Sequence, residues 1–461
     1  MTTEFLPSGT FVGRLLPGLI EEARCTELIA QLTQRGFVPT GERYPAAYRN
    51  NDRLVFDDAG LATELAARLT GSLPEALVEQ GARWRLVGLN ARFRACRYEH
   101  GQAFCVHRDG AYVPEPERRS FLTVQVYLDD DPGRTGGRTR FYADPQGREL
   151  LASITPGRGS VIVFDHRVWH DGEAVTGGIK HVLRTDAIYQ RVEGAPVAEE
   201  PDVIGRHRGY AWAVIGCRDG TIASSGRDGV VRRWPGVETD LRSGSVTTIS
   251  EAADLRVWCG TRAGMIVTLA EAAKPVDEGL GAVLDSAGAG SLVAFSTARG
   301  ELRAYHAGRR ALVWSRQAHD GWAWSVTPHR GAFVSCGHDG RVQSIDLQGS
   351  ARTLATLDVP LRVIASAGER LEAGDERGWI HTLGVDGVVL ASRRAHAGPI
   401  TALAHTAGSL FSAGEDGVVK QWRGAQMTVV RQLRDYVTSL AVVGGALIVA
   451  GYDGAIRRIA I

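Results

Sequence analysis

The stretch Ser412-Ala-Gly-Glu-Asp416-Gly417-Val-Val-Lys-Gln-Trp422 reads as a strand, a two-residue turn and a second strand. Asp-Gly is a strong hairpin signal, because glycine accepts the positive φ that the tight turn demands. The pattern recurs. Turn glycines stand at Gly229, Gly264, Gly300, Gly340, Gly378, Gly417 and Gly454, spaced by 35, 36, 40, 38, 39 and 37 residues. Two residues after each comes an aliphatic: Val231, Ile266, Leu302, Val342, Ile380, Val419 and Ile456. Five residues after each comes a large apolar residue: Trp234, Leu269, Tyr305, Ile345, Leu383, Trp422 and Ile459. Asp precedes the glycine at Asp228, Asp339, Asp416 and Asp453. A period near 40 residues with several short strands per unit predicts a propeller of seven blades.

These units resemble the WD-repeat family, which often joins a His, a Ser or Thr, the turn Asp and the Trp by hydrogen bonds. Here His396, Ser412, Asp416 and Trp422 match, as do His207, Ser224, Asp228 and Trp234. His319, Ser335 and Asp339 match with Ile345 in place of Trp. We read these residues as structural clamps rather than metal ligands. The chain stops at Ile461 within the strand of the seventh aromatic position, so the outermost strand of that blade is expected elsewhere. Pro201-Asp-Val-Ile-Gly-Arg-His207 is expected to supply it, which would cover edges that otherwise invite aggregation.

Composition agrees with a turn-rich β protein. Glycine is 56 of 461 residues, above the usual share of about 7%, while proline is only 17. Lys+Arg is 53 and Asp+Glu 52, a net charge of +1, which speaks against a nucleic-acid partner or a nucleic-acid dealkylase. Six cysteines (Cys25, Cys96, Cys105, Cys217, Cys259, Cys336) lack any CxxC pair and read as reduced core thiols. The start has no basic, apolar leader pattern and no run reaches about 18 apolar residues, so no membrane segment and a cytoplasmic protein are expected.

Before the repeats the pattern differs. Leu19–Arg35 carries Ile20, Ala23, Leu28, Ile29 and Leu32 at helical spacing, and Leu61–Leu73 does the same. Short strands follow. Asn90, Arg92, Arg94, Cys96 and Tyr98 alternate with Ala91, Phe93, Ala95 and Arg97, giving a polar face that is either solvated or lines a ligand cavity. His107-Arg-Asp109 then places an imidazole and a carboxylate at i and i+2, on one side of a strand. His170 follows in Val-Trp-His170-Asp-Gly, with His166 as a rival four residues earlier. Two His and one carboxylate form the facial set of non-haem Fe(II) oxygenases. Lys180 lies ten residues after His170, and Arg184 four further on the same strand face.

Residues 85–192 resemble the 2-oxoglutarate/Fe(II) dioxygenases of the prolyl 4-hydroxylase-like class. The matching pieces are Tyr98-x-x-Gly-Gln-x-Phe-x-x-His107-x-Asp109, Tyr127-Leu128, Gly136-Gly137-x-Thr139-x-Phe141, Pro156-x-x-Gly159-x-x-x-x-Phe164, and His170-Asp-Gly172 through Lys180. Tyr48-Arg-Asn-Asn-Asp-Arg53 also looks family-like, or is a charged loop. The resemblance implies a double-stranded β-helix (jelly-roll) with Fe(II) held by His107, Asp109 and His170, and 2-oxoglutarate and O2 as cosubstrates, with ascorbate as a further candidate. Lys180 matches the partner of the distal 2-oxoglutarate carboxylate, and Arg184 is an alternative for that role. Tyr98 and Tyr127 stand where the class places tyrosines near the cosubstrate, or are core aromatics. Because the carboxylate Asp109 is present, the resemblance implies hydroxylation rather than halogenation.

The expected organisation is a mainly β chain: an oxygenase domain over 1–192 with N-terminal helices, a linker over 193–200 and a seven-bladed propeller over 201–461. The leading expectation is a hydroxylase whose propeller recruits a protein partner or substrate, with a prolyl or peptidyl target. A small-molecule hydroxylase with the propeller as assembly module, and a non-enzymatic scaffold with an inactive oxygenase fold, are the alternatives.

Overall fold

Leu28 and Leu32 share one face with Cys25, and the chain folds there into a helix, Glu22–Arg35, that buries all three. It ends where Gly36, at φ 85°, turns its N–H back onto the carbonyls of Leu32 and Thr33. A second helix, Ala59–Arg68, starts at Asp58, whose carboxylate accepts from the Leu61 N–H at 2.9 Å. The apolar spacing reaches Leu73, but the helix stops at Arg68. Leu69 caps the helix, and Leu73 stays buried although Gly71 (φ 77°) has already turned the chain.

The structure is a computed structural model. It describes all residues except 1–2, 7–11, 41–47, 80–81, 116, 131–132, 134, 145, 156, 194–201, 270–272, 407 and 434. Pro156 and Pro201 of the motifs above, and the expected linker beyond Glu193, lie outside the described residues. Contacts divide the chain into two units, Met1–Ala198 and Glu199–Ile461. The described residues are mainly strand with two helices, and none of the described helices is long and apolar enough to cross a membrane.

The first unit has three layers. Its larger sheet contains, side by side, Val161–Asp165, Arg118–Tyr127, Lys180–Glu193, Arg92–Tyr98 and Asp52–Asp57. A smaller sheet runs Leu150–Ile154, Thr139–Tyr142, Trp169–Gly172, Phe104–His107. Strand alternation sorts the side chains. Phe93, Ala95, Val124, Val126, Val161, Val163 and Leu183 pack with the helix residues Cys25, Leu28, Leu32, Leu61 and Leu65. The alternate residues Tyr127, Ile162, Phe164 and Val182 pack with Phe141 and Ile154 of the smaller sheet. Each fully buried Leu or Phe contributes about 1.5–3 kcal/mol. The site therefore lies between two sheets that are held on both faces.

The second unit contains seven four-stranded antiparallel sheets among the described residues. Six are built from four consecutive strands, the first from Ala211–Gly216, Ile222–Gly226, Val230–Trp234 and Val237–Asp240. The seventh joins Val437–Val443, Ala446–Gly451 and Ala455–Ala460 to Val203–Arg206 from the start of the unit, with Val203 opposite Arg457. The expected closing strand is thus in place. The inner strands lie beside one another in chain order, and Ala211–Gly216 also touches Val437–Val443 of the last sheet. Thr438 Oγ1 donates to the Ala211 carbonyl at 2.7 Å across that junction. The seven turn glycines all have φ between 74° and 85°, which explains their periodicity.

The clamps form as the sequence implies. His396 reaches Asp416 Oδ1 at 3.0 Å through Nδ1 and Ser412 Oγ at 2.8 Å through Nε2, and Trp422 Nε1 donates to the same hydroxyl at 2.8 Å. His207, Ser224, Asp228 and Trp234 repeat it, and His319, Ser335 and Asp339 repeat it without the Trp.

Candidate metal centre

His107 closes the strand Phe104–His107, and His170 lies in Trp169–Gly172. The two strands are antiparallel neighbours, and the histidines are direct partners in the register. Facing partners project to the same side of a sheet. Their ring centroids are 4.3 Å apart. Asp109 lies two residues past the end of its strand, not on it as the i, i+2 reading implied. The loop is pinned by the Asp109 N–H donating to the His166 carbonyl at 3.2 Å. The Asp109 oxygens stand 3.8 Å from His107 Nε2 and 3.6 Å from His170 Nε2. One ligand atom from each residue lies within 4.8 Å of the other two. Among the described residues this is the one such group of metal-capable side chains.

The hydrogen bonds set the tautomers. His107 Nδ1 meets the Cys105 carbonyl at 2.8 Å, and His170 Nδ1 meets the Val168 carbonyl at 3.0 Å. A carbonyl only accepts, so each Nδ1 carries the hydrogen and each Nε2 keeps its lone pair. This is how ligating histidines are usually oriented. Burial holds both imidazoles below their ordinary range, and for His107 the neighbouring His170 adds to the effect. Burial would raise Asp109, but the Arg184 charge outweighs it and holds the carboxyl well below its usual range. Two neutral imidazoles and a carboxylate are the donors that a divalent iron takes, so the residues present fit it. His166 is buried nearby, but neither ring nitrogen has a hydrogen-bond partner among the described residues and it is not in the group.

The opposite wall comes from the larger sheet. Lys180 begins the strand Lys180–Glu193 and faces Tyr98 in register, while Val182 faces Tyr127. The Lys180 ammonium is buried, 5.4 Å from the Tyr98 ring centroid and 5.7 Å from that of Tyr127. Burial raises the Tyr98 phenol, so it stays a proton donor. Tyr127 is fully buried and donates to Thr139 Oγ1 at 2.7 Å. Arg184 lies on the same face, opposite Arg94, with Nη1 2.9 Å from Asp109 Oδ1. The polar face of the strand Arg92–Tyr98 lines the cavity through Arg94, Cys96 and Tyr98. A buried cation on the wall across from the histidines is the feature that a dicarboxylate cosubstrate needs.

Arg49 was not singled out by the sequence reading. It is buried in the cavity wall, with Nε donating to Asn51 Oδ1 at 2.6 Å and Nη2 3.0 Å from Cys96 Sγ. Its guanidinium lies 4.3 Å from the Phe104 ring centroid, and Phe104 stacks on His107 at 3.6 Å. The family-like run Tyr48–Arg53 was the available signal. Asp171, which follows His170, is held by both arms of Arg140 at 3.0 and 2.6 Å and by the Tyr142 hydroxyl at 3.0 Å.

Residues 93–185 match the family model of the 2OG-Fe(II) oxygenase superfamily, and residues 387–423 match that of the WD domain, G-beta repeat. The chain therefore carries a 2OG-Fe(II) oxygenase domain and a WD repeat. His107, Asp109, His170, Lys180 and Arg184 all fall in the first match. Among solved structures, the chain is similar to the WD40 β-propeller domain of Doa1, at 18% identity and a TM-score of 0.51, over 56% of this chain and 95% of that one. It is also similar to the computationally designed protein Ika8, at 16% identity and a TM-score of 0.46, over 56% and 98%. None of the curated proteins compared matches the chain.

Proposed function

We propose that the first unit is an Fe(II)- and 2-oxoglutarate-dependent hydroxylase of double-stranded β-helix fold, over residues 1–192. In this reading the second unit, over 201–461, is a seven-bladed propeller that recruits a protein partner or substrate. The observation that carries the reading is the convergence of His107 Nε2, His170 Nε2 and the Asp109 carboxylate within 4.8 Å, in a cavity whose far wall holds buried Lys180.

His107, Asp109 and His170 would hold Fe(II). When bound, iron with 2-oxoglutarate and O2 supplies the oxidising power, giving succinate, CO2 and a hydroxylated substrate. The protein's own part is positional. The two backbone carbonyls hold both imidazoles in the ligating tautomer. Burial keeps them neutral, and Arg184 keeps Asp109 ionised. A basic residue on the strand Lys180–Glu193 neutralises the distal carboxylate of the cosubstrate, with the Tyr98 and Tyr127 rings beside the Lys180 ammonium. Phe141 and Phe164 pack against His170 and exclude water from its buried side.

A peptidyl or prolyl target is the narrower form of the reading, supported by the joining of an oxygenase domain to a WD repeat in one chain. The six thiols are all free, which suits action in a reducing compartment such as the cytoplasm. The test is full-length protein incubated with Fe(II), ascorbate and 2-oxoglutarate and scored for succinate, with and without a protein captured by the propeller. Succinate that rises with the captured protein supports the reading. Succinate formed equally without it points to a small-molecule substrate, and none under either condition points to a scaffold.

A further inference from the structure

Two basic residues, Lys180 and Arg184, share one face of one strand, and each suits a carboxylate. They are four residues apart, about 13 Å along an extended strand, so they enter the cavity from different points. Arg184 is already committed. Its Nη1 lies 2.9 Å from Asp109 Oδ1, and its Nη2 lies 3.4 Å from Asp186 Oδ1. Asp186 is fully buried, and its Oδ2 receives Arg94 Nη1 and Asn90 Nδ2, each at 3.3 Å. The four charges alternate in the order Arg94, Asp186, Arg184, Asp109. The other oxygen of Asp109 accepts from Thr123 Oγ1 at 2.6 Å. Both Asp109 oxygens are therefore fixed by side chains, Arg184 on one and Thr123 on the other, on a residue that no strand holds.

Resting on the iron-site reading above, we infer that Arg184 is a positioning residue. It orients Asp109 toward the metal, braced through Asp186 by Arg94, and leaves the distal carboxylate of 2-oxoglutarate to Lys180. The guanidinium fork bridges two buried carboxylates, and releasing either would strand a buried charge. Lys180 lies at the other end of the cavity's strand, a compact cation beside two aromatic rings.

The experiment measures Mn(II) binding, and then 2-oxoglutarate binding at saturating Mn(II), on the full chain. Arg184→Gln/Asp186→Asn removes one positive and one negative charge together, so the change reports orientation rather than net charge. It should weaken Mn(II) about 10- to 100-fold, the usual effect of losing an outer partner of a metal ligand. 2-Oxoglutarate affinity should stay within about threefold, because this cation is not its partner. Lys180→Met should do the reverse, keeping Mn(II) affinity and weakening 2-oxoglutarate at least about tenfold. Arg184→Lys keeps the charge and loses the fork. It should weaken Mn(II) alone, and it decides the matter if the double variant does not fold. Unchanged Mn(II) affinity with weakened 2-oxoglutarate in either Arg184 variant would overturn the inference. Wild-type protein that binds no Mn(II) would instead overturn the iron-site reading on which it rests.

Discussion

His107 and His170 are direct cross-strand partners whose ring centroids lie 4.3 Å apart, and each Nδ1 is tied to a backbone carbonyl two residues earlier in its own chain segment. The pair is preset by sheet register rather than by loop conformation. Either histidine changed to alanine should therefore abolish metal binding without altering the position of the other. His170 is packed against Phe141 and Phe164, and its loss should cost roughly 1–3 kcal/mol of stability. His107 is less buried than His170 and should cost less. Mn(II) titration with thermal melting of both variants checks this.

The protonation states give a second prediction. Burial holds both imidazoles neutral, while Arg184 outweighs burial at Asp109 and keeps it ionised. Near pH 7.5 all three groups are already in the form that a metal takes. Mn(II) binding should then release almost no protons, and its calorimetric enthalpy should be the same in buffers of different ionisation heat. The same shifts fix the sign of the stability change. Unfolded histidine takes its proton near pH 6.5, before the buried groups do, so their contribution is full above that pH and is lost as the pH falls below it. The first unit should melt at a lower temperature at pH 5.5 than at pH 7.5.

Ser412 joins two rings in the sixth repeat: Trp422 Nε1 donates to its hydroxyl at 2.8 Å, and the hydroxyl lies 2.8 Å from His396 Nε2, whose Nδ1 faces the Asp416 carboxylate. Ser412→Ala leaves both buried nitrogens unsatisfied, at about 1–3 kcal/mol each. Urea unfolding should register the loss in the second unit, while Mn(II) affinity stays at the wild-type value.

Gly205 carries the junction of the ring. Its strand pairs with Ala455–Ala460 of the last sheet, and a Cβ on it would stand 1.9 Å from the Trp234 ring of the first. Gly205→Ala must therefore push apart the strand or the indole, at a cost of about 1–3 kcal/mol or more. A lower melting temperature for the second unit, with Trp fluorescence altered in the folded state, is the expected result.

Some of this was legible in the sequence, for physical reasons that can be named. Gly229 through Gly454 were readable because each needs a positive φ, and only glycine supplies that freely. The clamps were readable because their Asp and Trp sit at fixed offsets from that glycine. That His107, Asp109 and His170 would come together was readable because few residue types can hold a metal, and their ligand atoms do converge. The two cations on the strand Lys180–Glu193 were visible, but the ion pairs that occupy Arg184 were not. They involve Asp186 and, through it, Arg94, which meet only through the register of two strands 92 residues apart in sequence. Arg49 escaped for a similar reason, since its neighbour Cys96 is 47 residues away. The apolar spacing runs past the end of the second helix because Leu73 keeps it, and stays buried, after the backbone has turned at Gly71.

His107, Asp109 and His170 are proposed to form an iron site that accepts 2-oxoglutarate, and calorimetric titration of 2-oxoglutarate into full-length protein, with and without Mn(II), decides whether they do. The protein should bind one equivalent only when the metal is present, and a folded Asp109→Ala variant should bind none under the same conditions. Metal-independent binding, or equal binding by Asp109→Ala, would rule the site out.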